Sequence, residues 1–255
     1  MTGSEGSLMY DATLAETVTI RGDGGDEIEA YLAAPLDGGA RGGVVVIHHM
    51  PGYDEGTLEM TRRFAAHGYL AICPNLYSRE APGADPDDAA AAVRAAGGVP
   101  DERLVGDVEG AATYLRSLPG SNGKVATIGH CSGGRQSVLA ALSLDLAAAV
   151  DCYGAFVTGT PPEGYPLQVR PLTDRLGELR CPLLGLFGVE DKDPSPEQVA
   201  ELDRLLTDAG TPPEFHSYEG AGHAFFATDR PSYRPEAAKD GWQRIFGFFD
   251  QHLGA

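Results

Sequence analysis

A cysteine held between glycines is the first group in this chain that could carry covalent chemistry. Gly129-His130-Cys131-Ser132-Gly133-Gly134 follows a Val/Ile-containing run and precedes a leucine- and alanine-rich one. That is the setting of a G-x-nucleophile-x-G turn between a strand and a helix. The glycines are a steric need, because side chains two residues either side of so tight a turn would collide. The helix N-terminus behind the turn offers free N–H groups and the positive end of a dipole. Both favour a thiolate and can hold an oxyanion. Such a nucleophile needs a base, and the base needs an orienting group. Asp191, in Gly188-Val189-Glu190-Asp191, and His223, in Gly220-Ala221-Gly222-His223, are the candidates. Glu190 and Asp193 flank Asp191 as rival acids; Asp191 is preferred because it falls at the first bend after Gly188. The competing explanation is a buried structural cysteine with an acid and a loop histidine that never meet.

These three residues are useful together only if the fold delivers them to one edge. Periodicity predicts strands over Thr17–Arg21 and Glu27–Ala33, joined as a hairpin through Gly22–Asp26, and over Gly43–His48, Tyr69–Cys73 (ended by Pro74), Lys124–His130, Ala147–Tyr153, Pro182–Phe187 and Glu214–Tyr218. Helices are expected over Thr57–His67, Asp85–Ala96, Glu102–Leu118, Ser132–Leu144, Pro196–Asp208 and Gly241–His252. Alternating strands and helices imply crossover connections, hence an α/β fold with a mostly parallel twisted sheet and helices on both faces. Cys131, Asp191 and His223 then all follow strand C-terminal ends, the edge where sites form in such sheets. With no repeat and no composition break, one domain over 1–255 is expected, its core about 17–252.

Composition narrows the function. The 255 residues carry 37 acidic against 19 basic side chains, a net charge of -18, which argues against nucleic acid or an anionic membrane as partner. Only three of the basic residues are lysine, a balance also compatible with a salt-adapted host. A hydrophobic fraction of 42% with 22% charged residues is that of a globular chain rather than a disordered one. Met1–Leu14 shows no basic start followed by an apolar run, and no stretch is long and apolar enough to span a bilayer, so the cytoplasm is expected. Cys73, Cys131, Cys152 and Cys181 lie far apart without a C-x-x-C pair, a poor disulfide or zinc pattern. No phosphate-binding glycine motif opens a helix. His48, His49, His130 and His223 all fall near one sheet edge. Adjacent histidines on a strand point to opposite faces, and no acidic ligand is regularly spaced from them, so no metal and no cofactor are expected.

Beyond the triad pattern, the chain resembles the dienelactone hydrolase family of the α/β-hydrolase superfamily from about Val18 to Phe249. The resemblance rests on Val46-Ile47-His48-His49-Met50-Pro51-Gly52, Pro74-Asn75-Leu76-Tyr77-Ser78-Arg79, the Cys131 turn, the Asp191 loop with Pro194-Ser195-Pro196, and Gly222-His223-Ala224-Phe225. It implies cleavage of lactones or esters through a Cys131, His223, Asp191 triad without a cofactor. It further implies an oxyanion hole from the backbone N–H groups of Met50 and Ser132. Arg79, with Tyr77 and His49 beside it, is implied to meet the substrate, Arg79 through a substrate carboxylate. Two departures stand out. His49 replaces a family glutamate that contacts the resting thiol, and Ala227 stands where the family carries a second carboxylate-binding arginine; Arg135 and Arg230 are near in sequence only. Phe225, Phe226 and Trp242 are expected in the core or a pocket wall.

The expected reaction is acyl transfer to water on a small-molecule ester or lactone, through an acyl-thioenzyme. The alternatives are a thioesterase on the same scaffold and a non-catalytic small-molecule binding module. The sequence carries no signal for an oligomeric state. An acidic protein repels anions over a Debye length of ~8–10 Å at moderate salt, which tilts the expected substrate towards neutral or weakly charged esters and lactones.

Overall fold

The structure, a computed structural model, describes residues 12–254. The stretch read above for a leader therefore lies, up to residue 11, outside the described residues. Eight strands form one sheet: β1 (Thr13–Arg21), β2 (Glu27–Pro35), β3 (Arg41–Ile47), β4 (Leu70–Pro74), β5 (Ser121–His130), β6 (Ala148–Cys152), β7 (Leu183–Gly188) and β8 (Glu214–Tyr218). Their order across the sheet is β1-β2-β4-β3-β5-β6-β7-β8. The hairpin β1–β2 and the pair β2–β4 are antiparallel. Every pairing from β4 through β8 is parallel. Pro74 does not precede the strand's end but is its last paired residue, opposite Ala30.

The central strands explain why helices cover both faces. In β3 every residue after Arg41 is buried, and successive side chains alternate between faces. Val45 and Ile47 join Leu104, Val108, Leu115 and Leu139 in one core. Val44 and Val46 join Phe64, Trp242 and Phe249 in the other. The first core is closed by α2 (Pro86–Ala95), α3 (Asp101–Ser117), α4 (Ser132–Ser143) and α5 (Pro196–Asp208). The second is closed by α1 (Glu55–Ala66) and α6 (Pro235–Leu253), where Phe64 packs 5.6 Å from Trp242 and 5.8 Å from Phe249. Phe225, Phe226 and Trp242 are buried here. Helix α6 begins six residues before the expected Gly241, because Pro235 starts a helix well where its missing N–H is no loss. A 3-10 turn, Thr173–Glu178, was not expected; Leu176 anchors it in the core. Among the described residues no helix is long and apolar enough to cross a membrane.

Candidate active site

Cys131 sits at the N-cap of α4 with φ 56° and ψ -125°, a conformation L-residues rarely adopt. The glycines around it allow that strained turn. A Cβ on Gly129 would lie 2.0 Å from the Gly133 carbonyl oxygen, and one on Gly133 would lie 2.4 Å from that of Ile47. The turn is pinned by Cys131 N–H donating to Cys152 at 3.0 Å and Gly134 N–H to Cys131 at 2.9 Å. The thiol makes no capping bond to its own helix, so the sulfur is left for another partner.

That partner is His223. Its Nδ1 lies 2.8 Å from Asp191 Oδ2, and Cys131 is near enough for its charge to act on the ring. The loops after β7 and β8 are laced together, Val189 N–H donating to Tyr218 at 3.1 Å and Glu190 N–H to Ala221 at 2.9 Å. This lacing sets the distance between Asp191 and His223. The Asp191 side chain is only 3% exposed, and its other oxygen accepts from Asp193 N–H at 3.1 Å. Asp191, rather than Glu190 or Asp193, therefore meets the histidine. Burial pulls the imidazole down, but the bond to Asp191 and the charge of Cys131 more than reverse it and hold His223 up at about 10. Tyr153, also at positive φ, packs edge-on against His223 with ring centroids 5.2 Å apart. Sequence reasoning missed Tyr153; its place at the tip of β6, one strand from Cys131, was the available signal. The other three thiols are buried, and burial pushes Cys73, Cys152 and Cys181 up.

Met50 and Ser132 flank the turn and border one cavity of about 50 Å³. Among the described residues neither backbone N–H donates to another group. Tyr77 lines the same cavity, and its hydroxyl donates to the Met50 carbonyl at 3.1 Å while its ring stands edge-on to His48 at 4.5 Å. Tyr77 is thus a brace for the Met50 loop. His48 is buried, bonded to Leu76 N–H at 3.1 Å, and lowered to about 4 by burial.

Two of the residues expected at the substrate already hold other partners. Arg79 was expected to meet a substrate carboxylate, but it is taken up by the hairpin. Its Nη1 and Nη2 grip both oxygens of the fully buried Asp107 at 2.7 and 2.9 Å, and its Nε reaches Asp26 at 2.9 Å. An ion pair to a buried carboxylate that also accepts Asp23 N–H at 2.8 Å is structural, since releasing the arginine would strand Asp107. His49 pairs with Asp54, Nε2 to Oδ2 at 2.7 Å, rather than standing alone at the thiol. Asp54 caps α1 by accepting from Thr57 N–H at 2.9 Å; burial raises its carboxyl, but His49 and the cap together hold it well below the ordinary range. The cap pattern Asp54-x-x-Thr57 was the sequence signal for this second pair. His49 and His130 border a separate cleft of about 1060 Å³ between α1 and α6. His130 is neutral there, lowered to about 3 by burial. Among the described residues no three His, Cys, Asp or Glu side chains converge as metal ligands would.

Known proteins place this geometry in context. The sequence model of the Dienelactone hydrolase family matches residues 28–253. A Salmonella typhimurium protein with the provisional name carboxymethylenebutenolidase is 36% identical over 250 residues, covering 96% of this chain and 90% of its own. A Yersinia pestis protein of the same name is 37% identical over 234 residues, 89% of this chain and 85% of its own. Among solved structures, a provisionally named dienelactone hydrolase from Klebsiella pneumoniae superposes with a TM-score of 0.82 at 32% identity, covering 94% of this chain and 99% of that one.

Proposed function

The chain belongs to the dienelactone hydrolase family, and we propose that it cleaves small esters or lactones with Cys131 as nucleophile, His223 as proton carrier and Asp191 as its orienting carboxylate. One observation carries this reading: a histidine paired at 2.8 Å with a buried carboxylate stands at the same sheet edge as a cysteine in a strained strand-to-helix turn, near enough for the cysteine's charge to act on the ring. The family and the relatives' names support ester or lactone hydrolysis as the class of reaction.

The steps follow from the contacts. The Cys131 sulfur attacks the carbonyl carbon, and the carbonyl oxygen takes the electron pair. The Met50 and Ser132 N–H groups, which have no other acceptor among the described residues, stabilise that oxyanion together with the α4 dipole. Collapse expels the alkoxide, which takes its proton from His223; in a lactone it stays attached, as the hydroxyl end of the opened chain. Water then gives a proton to His223, attacks the acyl-thioenzyme and releases the acid, returning the thiolate. Asp191 holds the ring so that Nε2, not Nδ1, faces the sulfur.

The test is a panel of activated aryl esters, matched thioesters and lactones, assayed on the native protein and on Cys131→Ala. The reading expects the oxygen esters or lactones to be turned over and that turnover to vanish with the thiol. Turnover retained by Cys131→Ala overturns it. A marked preference for thioesters moves the assignment to a thioesterase.

A further inference from the structure

The catalytic steps leave one ionisable group beneath the nucleophile's helix unused. Asp151 lies on β6, opposite Gly129 of β5 and Gly185 of β7, and is fully buried. Its neighbours Val150 and Cys152 face the core under α6, so its own side chain points to the α4 face. There the carboxyl meets two turns at once. Its Oδ1 accepts the Gly154 N–H at 2.7 Å. A Cβ on Gly134, in the first turn of α4, would lie 2.3 Å from that same oxygen, and one on Gly154 would lie 2.5 Å from it. Oδ2 is buried with no partner among the described residues.

The two turns belong to the two arms of the site. Gly134 N–H donates to the Cys131 carbonyl at 2.9 Å, in the turn that carries the nucleophile. Gly154 follows Tyr153, which is held at φ 46° with its ring 5.2 Å from that of His223. One carboxyl thus sets the nucleophile's helix against the turn that backs its histidine. An apolar side chain would fill the space and orphan the Gly154 N–H. The carboxyl serves that N–H but keeps an unpartnered oxygen, which is uncommon and costly in a buried group.

Charge at this spot matters as well as shape. Burial pushes the carboxyl up to about 7. No opposite charge offsets the burial. Arg135, the one titratable residue of α4, spends its guanidinium on Asp101 and the Arg170 carbonyl. β7 carries no titratable residue. On β5, Lys124 is exposed at the far end and His130 packs on Phe226 and Trp242 across the sheet. Cys152 and Tyr153, next along the chain, are held uncharged by burial. With its proton on, Asp151 leaves the positive end of α4 to the Cys131 thiolate and to an oxyanion. As a carboxylate it opposes both, because a negative charge at the first turn offsets that end of the dipole.

We propose that Asp151 is a positioning residue that carries a proton in the active protein, packs the Cys131 turn against the Tyr153 turn behind His223, and weakens the nucleophile when it ionises. The proposal rests on the reading of Cys131 as nucleophile, and Asp151 itself meets neither substrate nor reacting atoms.

Asp151→Asn tests it, because the amide keeps an oxygen for the Gly154 N–H and does not ionise. Two rates are compared between this variant and the native protein: kcat/KM for 4-nitrophenyl acetate, and alkylation of Cys131 by iodoacetamide. Each is measured at pH ~6, below the ionisation, and at pH ~8.5, above it. At the lower pH the two proteins should agree. At the higher pH Asp151→Asn should be faster by about fivefold or more in both rates, the worth of a charge at a helix end. Asp151→Ala, which orphans the Gly154 N–H, should lower kcat by about 2- to 10-fold at the lower pH with KM little changed. A ratio of variant to native that is the same at both pH values overturns the proposal. An alkylation contrast without ester turnover supports it and sinks only the ester chemistry. Turnover with no contrast in either rate sinks the proposal and leaves the nucleophile standing. If Asp151→Asn does not fold, difference infrared spectra of the native protein decide. A protonated carboxyl band should persist at the lower pH and vanish at the higher; its absence at the lower pH overturns the proposal.

Discussion

Two histidine–aspartate pairs stand at the same edge of the sheet, on opposite sides of β5: His223–Asp191 at 2.8 Å and His49–Asp54 at 2.7 Å. As isolated pairs they are nearly indistinguishable. What separates them is the third partner. Asp191 is buried and spends its other oxygen on its own loop, so its histidine is free to face the Cys131 sulfur. Asp54 is tied to the first turn of α1 through Thr57 N–H and the Thr57 hydroxyl at 2.8 Å. The same chemistry thus serves a nucleophile in one place and a helix end in the other. A histidine–carboxylate pair identifies a site only when the atom beyond the histidine is known.

The sharpest way to break this contrast is to delete each histidine in turn. His223→Gln is expected to lower kcat on an activated ester by on the order of 10³–10⁴-fold, the scale of losing a triad member. His49→Gln should cost less than about tenfold, within the range of a disturbed neighbouring loop. Equal losses in steady-state assays would erase the distinction.

The aspartates come next. Asp191→Asn keeps the shape but favours the wrong tautomer and should cost on the order of 10²–10⁴-fold in kcat. Asp54→Ala should appear mainly in denaturant unfolding, as a loss of about 1 kcal/mol from the uncapped α1.

The pairs should also fail at opposite ends of the pH scale. His223 is raised from an ordinary value near 6.5 to about 10, so its stabilisation is complete below pH ~6.5 and is lost as pH rises to about 10. Asp54 is lowered, so its stabilisation is present above the ordinary carboxylate range and is lost as pH falls through it. Unfolding midpoints of native protein against His223→Gln should therefore converge on the alkaline side. Against Asp54→Ala they should converge on the acid side. The reverse order would contradict the assigned partners.

The smallest effect concerns the brace under the oxyanion loop. Tyr77→Phe removes only the bond to Met50 and should lower kcat by about 2- to 10-fold, the worth of one neutral hydrogen bond, with the fold intact by circular dichroism.

The sequence made the framework legible where short-range rules act. Gly129 and Gly133 announced the turn because their backbones touch carbonyls at distances no side chain permits. Asp191 and His223 could be placed because each follows a strand in a parallel sheet and the chain order fixes which edge they share. Arg79 misled because its partner Asp107 is 28 residues further on and fully buried, and no local pattern marks an arginine as already engaged. His49 fell between these cases, since the Asp54 cap was readable but its reach back to the histidine was not.

The central claim is that Cys131 forms the acyl intermediate, and rapid acid quench followed by peptide mass analysis tests it most directly. During turnover of a slow ester, the account expects the acyl mass on the peptide bearing Cys131, appearing with the first released alcohol and decaying at the rate of acid release. Cys73, Cys152 and Cys181 should remain unmodified, since burial keeps their thiols protonated. Steady turnover with no acyl group on Cys131 would contradict the account.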